Sequence, residues 1–306
     1  MRILHRPFDE QTQDFEKMWQ FLIRDYRDKQ EQFIWSLGRL GDWKYGIWNE
    51  QKYIPNFMRK NAQLWFNSFG ELIGFVLSED CDSRFNVFAA RGYEFLYPEM
   101  LRWIKTHWGG REGDLCTEVH EYQHSFIDAL QQEGFEQTEL ACITRQYRIA
   151  KKSQEPICLG ERFVIQDMAS KPDLHGKSQL YANVWGHKEE ASPLDIMRDE
   201  YNRENPCFYP RLDLSIVDEK GLHVAACMAF IDYDNSYAEI EKVCSHSDYR
   251  GKGLAEAVIR ECFQRLHEEG IQYAYITGYS EIAKNLYGKL GAEKSKNWYT
   301  YVLTKK

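Results

Sequence analysis

No stretch of this 306-residue sequence reaches the roughly 18 uninterrupted apolar residues of a membrane span. Its start, Met1-Arg2-Ile3-Leu4-His5-Arg6-Pro7, lacks the apolar core of a signal peptide. A basic excess is also missing: 47 acidic residues against 39 basic ones leave a net charge of -8. That argues against general nucleic-acid binding, which needs a cationic stripe. The eight cysteines, Cys81, Cys116, Cys142, Cys158, Cys207, Cys227, Cys244 and Cys262, contain no Cys-x-x-Cys pair. They read as buried reduced thiols of a cytosolic protein rather than as a zinc site or a disulfide frame. Gly-x-x-x-x-Gly-Lys-Ser/Thr is absent, so there is no NTPase phosphate loop.

Apolar residues, by contrast, are plentiful at 43%, with 17 Phe, 19 Tyr and 9 Trp. This is material for two cores, and the length fits two domains of about 150 residues. In the first, apolar spacing predicts a helix over Gln13–Arg27, then an aromatic irregular stretch to about Asn61. Strands follow at Gln63–Phe66, Leu72–Leu77 and Phe85–Ala90. A helix at Tyr97–Trp108, a strand at Leu115–Val119, a helix at Ser125–Glu133 closed by Gly134 and a strand at Leu140–Tyr147 complete it.

The polar, proline-bearing segment Ala150–Pro156 reads as a linker between domains at 1–150 and 161–306. Beyond it come a strand at Arg162–Gln166, a helix at Pro193–Arg203 and strands at Leu212–Val217, Val224–Ile231 and Tyr237–Val243. A long amphipathic helix at Leu254–His267, a strand at Tyr273–Thr277, a helix at Glu281–Leu290 stopped by Gly291 and a strand at Trp298–Leu303 end the chain. Both halves close on strand, helix, strand, helix with a terminal glycine, strand. Gly134 and Gly291 lie 157 residues apart, which fits a tandem duplication.

The strongest local chemistry is in Tyr249-Arg250-Gly251-Lys252-Gly253-Leu254-Ala255, between a strand and the long helix. Two glycines let the backbone turn tightly and leave successive amides open. Such a nest at a helix N-terminus binds phosphate or pyrophosphate, and Arg250 and Lys252 add charge. A Rossmann fingerprint is excluded, because Glu256 stands where its third glycine belongs.

Arg250-x-x-Gly253-x-Ala255 resembles the Arg/Gln-x-x-Gly-x-Gly/Ala signature of the GNAT (general N-acetyltransferase) superfamily. Ala283-Lys-Asn-Leu-Tyr-Gly-Lys-Leu-Gly-Ala292 is similar to that family's Ala-x-x-Leu-Tyr-x-x-Leu-Gly-Phe helix, with Ala292 in place of Phe. The resemblance covers Leu212–Lys306 well and Glu161–Pro210 loosely. It implies an α/β protein of two tandem GNAT-like domains, each a mixed, mostly antiparallel sheet flanked by helices.

The resemblance further implies acyl-coenzyme A, acetyl-CoA in the simplest case, as co-substrate, in a cleft between the strands at Tyr237–Ser245 and Tyr273–Thr277. The pyrophosphate would rest on amides of Arg250, Gly251, Lys252, Gly253, Leu254 and Ala255. Backbone groups of Val243, Cys244 and Ser245 would line the pantetheine arm. Ser280 stands where relatives carry an asparagine that contacts that arm. An amine with pKa near 10 needs a base before it can attack. Glu239 and Glu241 alternate on one strand face, and Glu239, eleven residues before Arg250, matches the glutamate base of some family members. Both could instead be solvent-facing or substrate-recognising charges. Tyr287 matches the tyrosine that protonates the departing thiolate. Cys244 would need a partner histidine to act as a nucleophile, and none is placed, so direct attack in a ternary complex is expected.

The acceptor is expected to be a small-molecule primary amine, with no nucleic acid, membrane or metal involved, on a monomer or homodimer. Two alternatives are a non-catalytic acyl-CoA sensor or scaffold, and a ligase using aminoacyl-tRNA. In the first half, Leu130 stands opposite Tyr287, and Glu94 and Leu96 stand opposite Gly253 and Ala255. That half reads as a degenerate copy without a cofactor site. Its Trp35, Trp43, Tyr45 and Trp48 are expected in an aromatic core or, alternatively, along the acceptor pocket.

Overall fold

The computed structural model describes residues 2–29, 35–46, 55–149 and 159–305. The linker at 150–156, Trp48 and Cys158 lie outside the described residues. In chain order the elements are β1 (Leu4–Pro7), α1 (Asp14–Lys29), α2 (Leu37–Tyr45), α3 (Phe57–Asn61), β2 (Ala62–Phe66), β3 (Leu72–Leu77) and β4 (Asn86–Ala89). Next come α4 (Tyr97–Trp108), β5 (Leu115–His120), α5 (His124–Gln132), β6 (Glu136–Arg148), β7 (Phe163–Asp167), α6 (Leu174–Trp185) and α7 (Pro193–Asn202). The last are β8 (Asp213–Asp218), β9 (His223–Asp232), β10 (Tyr237–Ser245), α8 (Leu254–Glu268), β11 (Tyr273–Gly278), α9 (Glu281–Gly288) and β12 (Lys294–Leu303).

The chain divides into two compact units. The first holds Met1–Phe33, Trp48–Ile143 and Lys296–Lys306, and the second Ile34–Ile47 and Thr144–Ser295. The division is not a single cut near residue 150. The strand expected to close the C-terminal half, β12, pairs antiparallel with β5 in the first unit, Tyr301 opposite Thr117. The aromatic stretch expected in the N-terminal half contributes α2 to the second unit.

In the first unit β1 to β4 form an antiparallel sheet in chain order. Its core gathers Trp65, Val76, Phe85, Met100, Ile104 and Leu130, with Tyr301 from β12.

In the second unit the sheet order is β11-β10-β9-β8-β7. All neighbours are antiparallel except β10 and β11, which run parallel. Helix α8 carries Leu254, Val258, Cys262 and Leu266 at four-residue spacing and buries them on one sheet face, with Leu214, Cys227 and Ile240. Each such aliphatic side chain contributes about 1.5–3 kcal/mol on burial. The helix stops at Gly270, whose φ of 78° is left-handed.

The opposite face of this sheet is covered by α6 and α2. Leu180 of α6 packs on Ala226 and Cys244. Helix α2 lies so close that a Cβ on Gly38 would stand 2.3 Å from the Phe230 ring, and one on Gly41 would stand 2.1 Å from Asn205. Trp35 and Trp43 are buried, and Tyr45 is half-buried 5.9 Å from the ring of Tyr201.

Candidate active site

The turn from β10 into α8 is an open nest. Gly251 and Gly253 both have φ of 76°, and a Cβ on either would meet nothing within 4 Å. Only glycine takes that backbone without strain. Gly253 is the N-cap of α8, and no side chain caps the helix. The first amides of α8 therefore lack the partner that most helix starts receive from a side-chain oxygen, and the helix dipole points its positive end into open space. Arg250 and Lys252 are exposed. The Lys252 ammonium lies 4.4 Å from the ring centre of Tyr249, whose hydroxyl donates to Asp218 at 2.7 Å. A diphosphate fits such a cradle, because the space a side chain would fill is left to the ligand.

Beside this turn β10 and β11 part. Their register runs Tyr237 to Tyr273, Ala238 to Ala274 and Glu239 to Tyr275, and pairing ends there. On its other edge β10 carries a bulge between Glu241 and Cys244, with Lys242 at a left-handed φ of 52°. A bulge bends and twists its strand. The stretch Ile240–Ser245 is thus turned from β11, leaving one backbone edge without a strand partner beside Val243, Cys244 and Ser245. Val243 and Ser245 are half-buried. Cys244 is buried against α6, and burial pushes its thiol up to about 12, so it stays protonated.

The two glutamates share a face of β10 but differ in surroundings. Glu239 is 2% exposed, flanked by Phe230 and Tyr275 in register, and the Ser36 hydroxyl donates to its carboxylate. Glu241 begins the bulge, opposite Met228. Burial raises its pKa to about 7, opposed by the positive charge of Arg39 and reinforced by Asp42.

Tyr287, 6% exposed, is held with its ring against Gly278, where a Cβ would come within 3.1 Å. The Tyr147 hydroxyl donates to its carbonyl at 2.6 Å. Burial, with the nearby charge of Glu241, pushes the Tyr287 phenol well above its ordinary value, so it holds its proton at neutral pH. Ser280 is the N-cap of α9. Its Oγ accepts the Ala283 amide at 3.2 Å, which leaves the hydroxyl proton available.

Three contributors escaped sequence reasoning: Ser36, Arg39 and Asp42, all on or beside α2. The Arg39 guanidinium lies 5.3 Å from the Trp35 ring and donates to the Tyr279 hydroxyl at 3.2 Å. Ser36 and Glu239 are 203 residues apart, and no local pattern signals such a pairing.

The first unit has the corresponding strand-to-helix turn in a different state. After β4 the Glu94 carboxylate accepts the Gly92 amide at 2.8 Å, and Pro98 removes another amide at the start of α4. Leu130 is fully buried in the core.

Parted parallel strands, a bulged central strand and an uncapped glycine turn come together in the second unit. Residues 175–292, all within that unit, match the model of the acetyltransferase (GNAT) family. That stretch is thus similar to the GNAT family, and the chain as a whole has a tandem GNAT fold. The whole chain resembles a GCN5-related N-acetyltransferase from Sphaerobacter thermophilus with TM-score 0.62 at 14% identity, covering 98% of this chain and 95% of the other. It resembles a tandem GNAT protein from the clavulanic acid biosynthesis pathway with TM-score 0.64 at 11% identity, covering 99% and 98%. A GNAT-family acetyltransferase from Colwellia psychrerythraea gives TM-score 0.61 at 13% identity, covering 99% and 100%. No protein of curated function matches the sequence. No helix among the described residues is long and apolar enough to cross a membrane.

Proposed function

We infer that the second unit transfers an acyl group, acetyl in the simplest case, from coenzyme A to a primary amine of a small molecule. The observation that carries this reading is the uncapped Gly251–Gly253 nest beside the parted strands, with Glu241 on β10 and Tyr287 on α9. In this reading the amides of Gly251 to Ala255 bind the diphosphate, and the free edge of β10 at Val243–Ser245 aligns the thioester. One amide of that edge polarises its carbonyl. Glu241, rather than the enclosed Glu239, takes the proton from the ammonium, because its pKa near 7 suits a base at neutral pH. The amine nitrogen bonds to the acyl carbon, the carbon–sulfur bond breaks, the thiolate takes a proton from Tyr287, and the second proton shed by the nitrogen is returned to the Tyr287 phenolate through solvent. The first unit, its own nest filled by Glu94, serves a structural role and binds no acyl-CoA.

The test is titration of acetyl-CoA into the full chain by calorimetry, followed by release of free thiol across a panel of amines. Binding with turnover supports the reading. Binding with no turnover on any amine favours a sensor, and absence of binding overturns the reading.

A further inference from the structure

The glycine turn that opens α8 is capped by no side chain, yet the residues just before it are tied down from both sides. The His246 amide donates to the Val224 carbonyl of β9 at 2.9 Å, and a single 3₁₀ turn, Ser247–Tyr249, follows. On one side Asn183 of α6 takes Ser247. Its Oδ1 accepts the Ser247 amide at 3.1 Å, and its Nδ2 donates to the Ser247 hydroxyl at 3.4 Å. On the other side the Tyr249 hydroxyl donates to Oδ2 of Asp218, the last residue of β8, at 2.7 Å. All of these residues belong to the second unit.

Asp218 is fixed by its own turn. Its Oδ1 accepts the amides of Lys220 and Leu222, each at 2.9 Å, and its backbone pairs with Gly221 and Leu222. One carboxylate oxygen thus orients the group and the other is left for Tyr249, in a charge-assisted hydrogen bond. The Tyr249 ring stands edge-on to Phe163 of β7 at 6.2 Å and to His246 at 5.7 Å. Over its face lies the Lys252 ammonium, 4.4 Å from the ring centre. An aromatic face orients a cation without cancelling its charge, as a carboxylate partner would. Lys252 lies between the two glycines of the nest, so its charge is presented intact at the turn.

We propose that Tyr249 and Asp218 are positioning residues for the donor: their hydrogen bond fixes the Tyr249 ring, and the ring holds the Lys252 ammonium ready for the diphosphate of acyl-CoA. The proposal rests on the acyl-transfer reading above. A long side chain that must be ordered when its ligand arrives weakens binding by roughly two- to tenfold, and one ordered beforehand escapes that loss.

The experiment uses the full chain, with Kd for acetyl-CoA by calorimetry and kcat and KM by thiol release. Tyr249→Phe keeps the ring and deletes the hydroxyl. It should raise Kd and KM for acetyl-CoA roughly three- to tenfold and leave kcat nearly as it was. Asp218→Ala breaks the same bond from the hairpin and should weaken binding at least as much. Asp218→Asn should bind close to the parent, since its oxygen still takes the turn amides and its nitrogen still meets the Tyr249 oxygen. Lys252→Met should also weaken binding, and adding Tyr249→Phe to it should change little further, because the ring acts through the ammonium. Tyr249→Phe with a Kd within about twofold of the parent overturns the proposal. So does a loss fully additive with Lys252→Met, or one that falls on kcat instead of KM. If the parent binds acetyl-CoA and the Tyr249 variant matches it, only the positioning role fails; if the parent does not bind it, the acyl-transfer reading itself fails.

Discussion

Replacing Glu241 by glutamine tests the base and its environment together. The folded chain holds the Glu241 proton more tightly than the unfolded chain, with a pKa of about 7 against 4.5. That difference amounts to at most about 3 kcal/mol. Its sign follows from the raised value: the stabilisation is full below pH 4.5 and is lost as pH rises through about 7. Glutamine imitates the protonated carboxyl and does not titrate. Glu241→Gln should therefore match the parent near pH 4.5 and exceed it at pH 8 by up to about 3 kcal/mol, several degrees in melting temperature. Activity should move the opposite way. kcat/KM of the parent should fall as pH drops below about 7, whereas the variant should lose that limb and about 10²–10⁴ of the rate. Thermal melts between pH 4.5 and 8 and pH–rate profiles for both proteins decide the matter. If the two melting curves run parallel across this range, the carboxyl is not held protonated by burial. If the variant keeps the acidic limb, another group is the base.

Tyr287→Phe should cut kcat by about 10–100-fold with little change in KM for acetyl-CoA, read by thiol release, since it removes only the proton donor. Gly253→Val puts a β-branched residue at φ 76° where the ligand must approach; weakening of acetyl-CoA binding by at least tenfold in calorimetry is expected. The same titration on the parent chain should give one site per chain, because Glu94 fills the corresponding turn of the first unit. Gly38→Ala drives a methyl into the Phe230 ring and should cost about 1–3 kcal/mol in denaturant unfolding, with loss of activity as α2 shifts from Glu239 and Glu241.

Much of the second unit was legible in the sequence because its hydrophobic face is regular. Strands β8 to β11 and helices α8 and α9 lie where alternation and three-to-four spacing placed them, and the glycine turn falls between β10 and α8. The two helices that escaped notice are those that roof the site. Helix α6 turns Lys177 and Ser178 inward with Leu180 and Ala182, so half of its buried positions are polar and they break the apolar stripe. Helix α2 contains Gly38 and Gly41, which lower helix propensity when read locally. In the structure those two glycines let the helix lie directly on Phe230 and Asn205. The site interrupts the very regularities from which secondary structure is read. The difference between Glu239 and Glu241 was equally hidden, since it arises from Ser36 and Arg39, brought in by tertiary contact.

Because β5 in one unit waits for β12, which the ribosome makes only after all the described residues of the other unit, the order of synthesis is not the order in which the units can be finished. Genetic excision of either half would strand an unpaired sheet edge in the first unit or strip the roof from the second. Neither half can therefore be removed without leaving the other incomplete, whatever each of them binds.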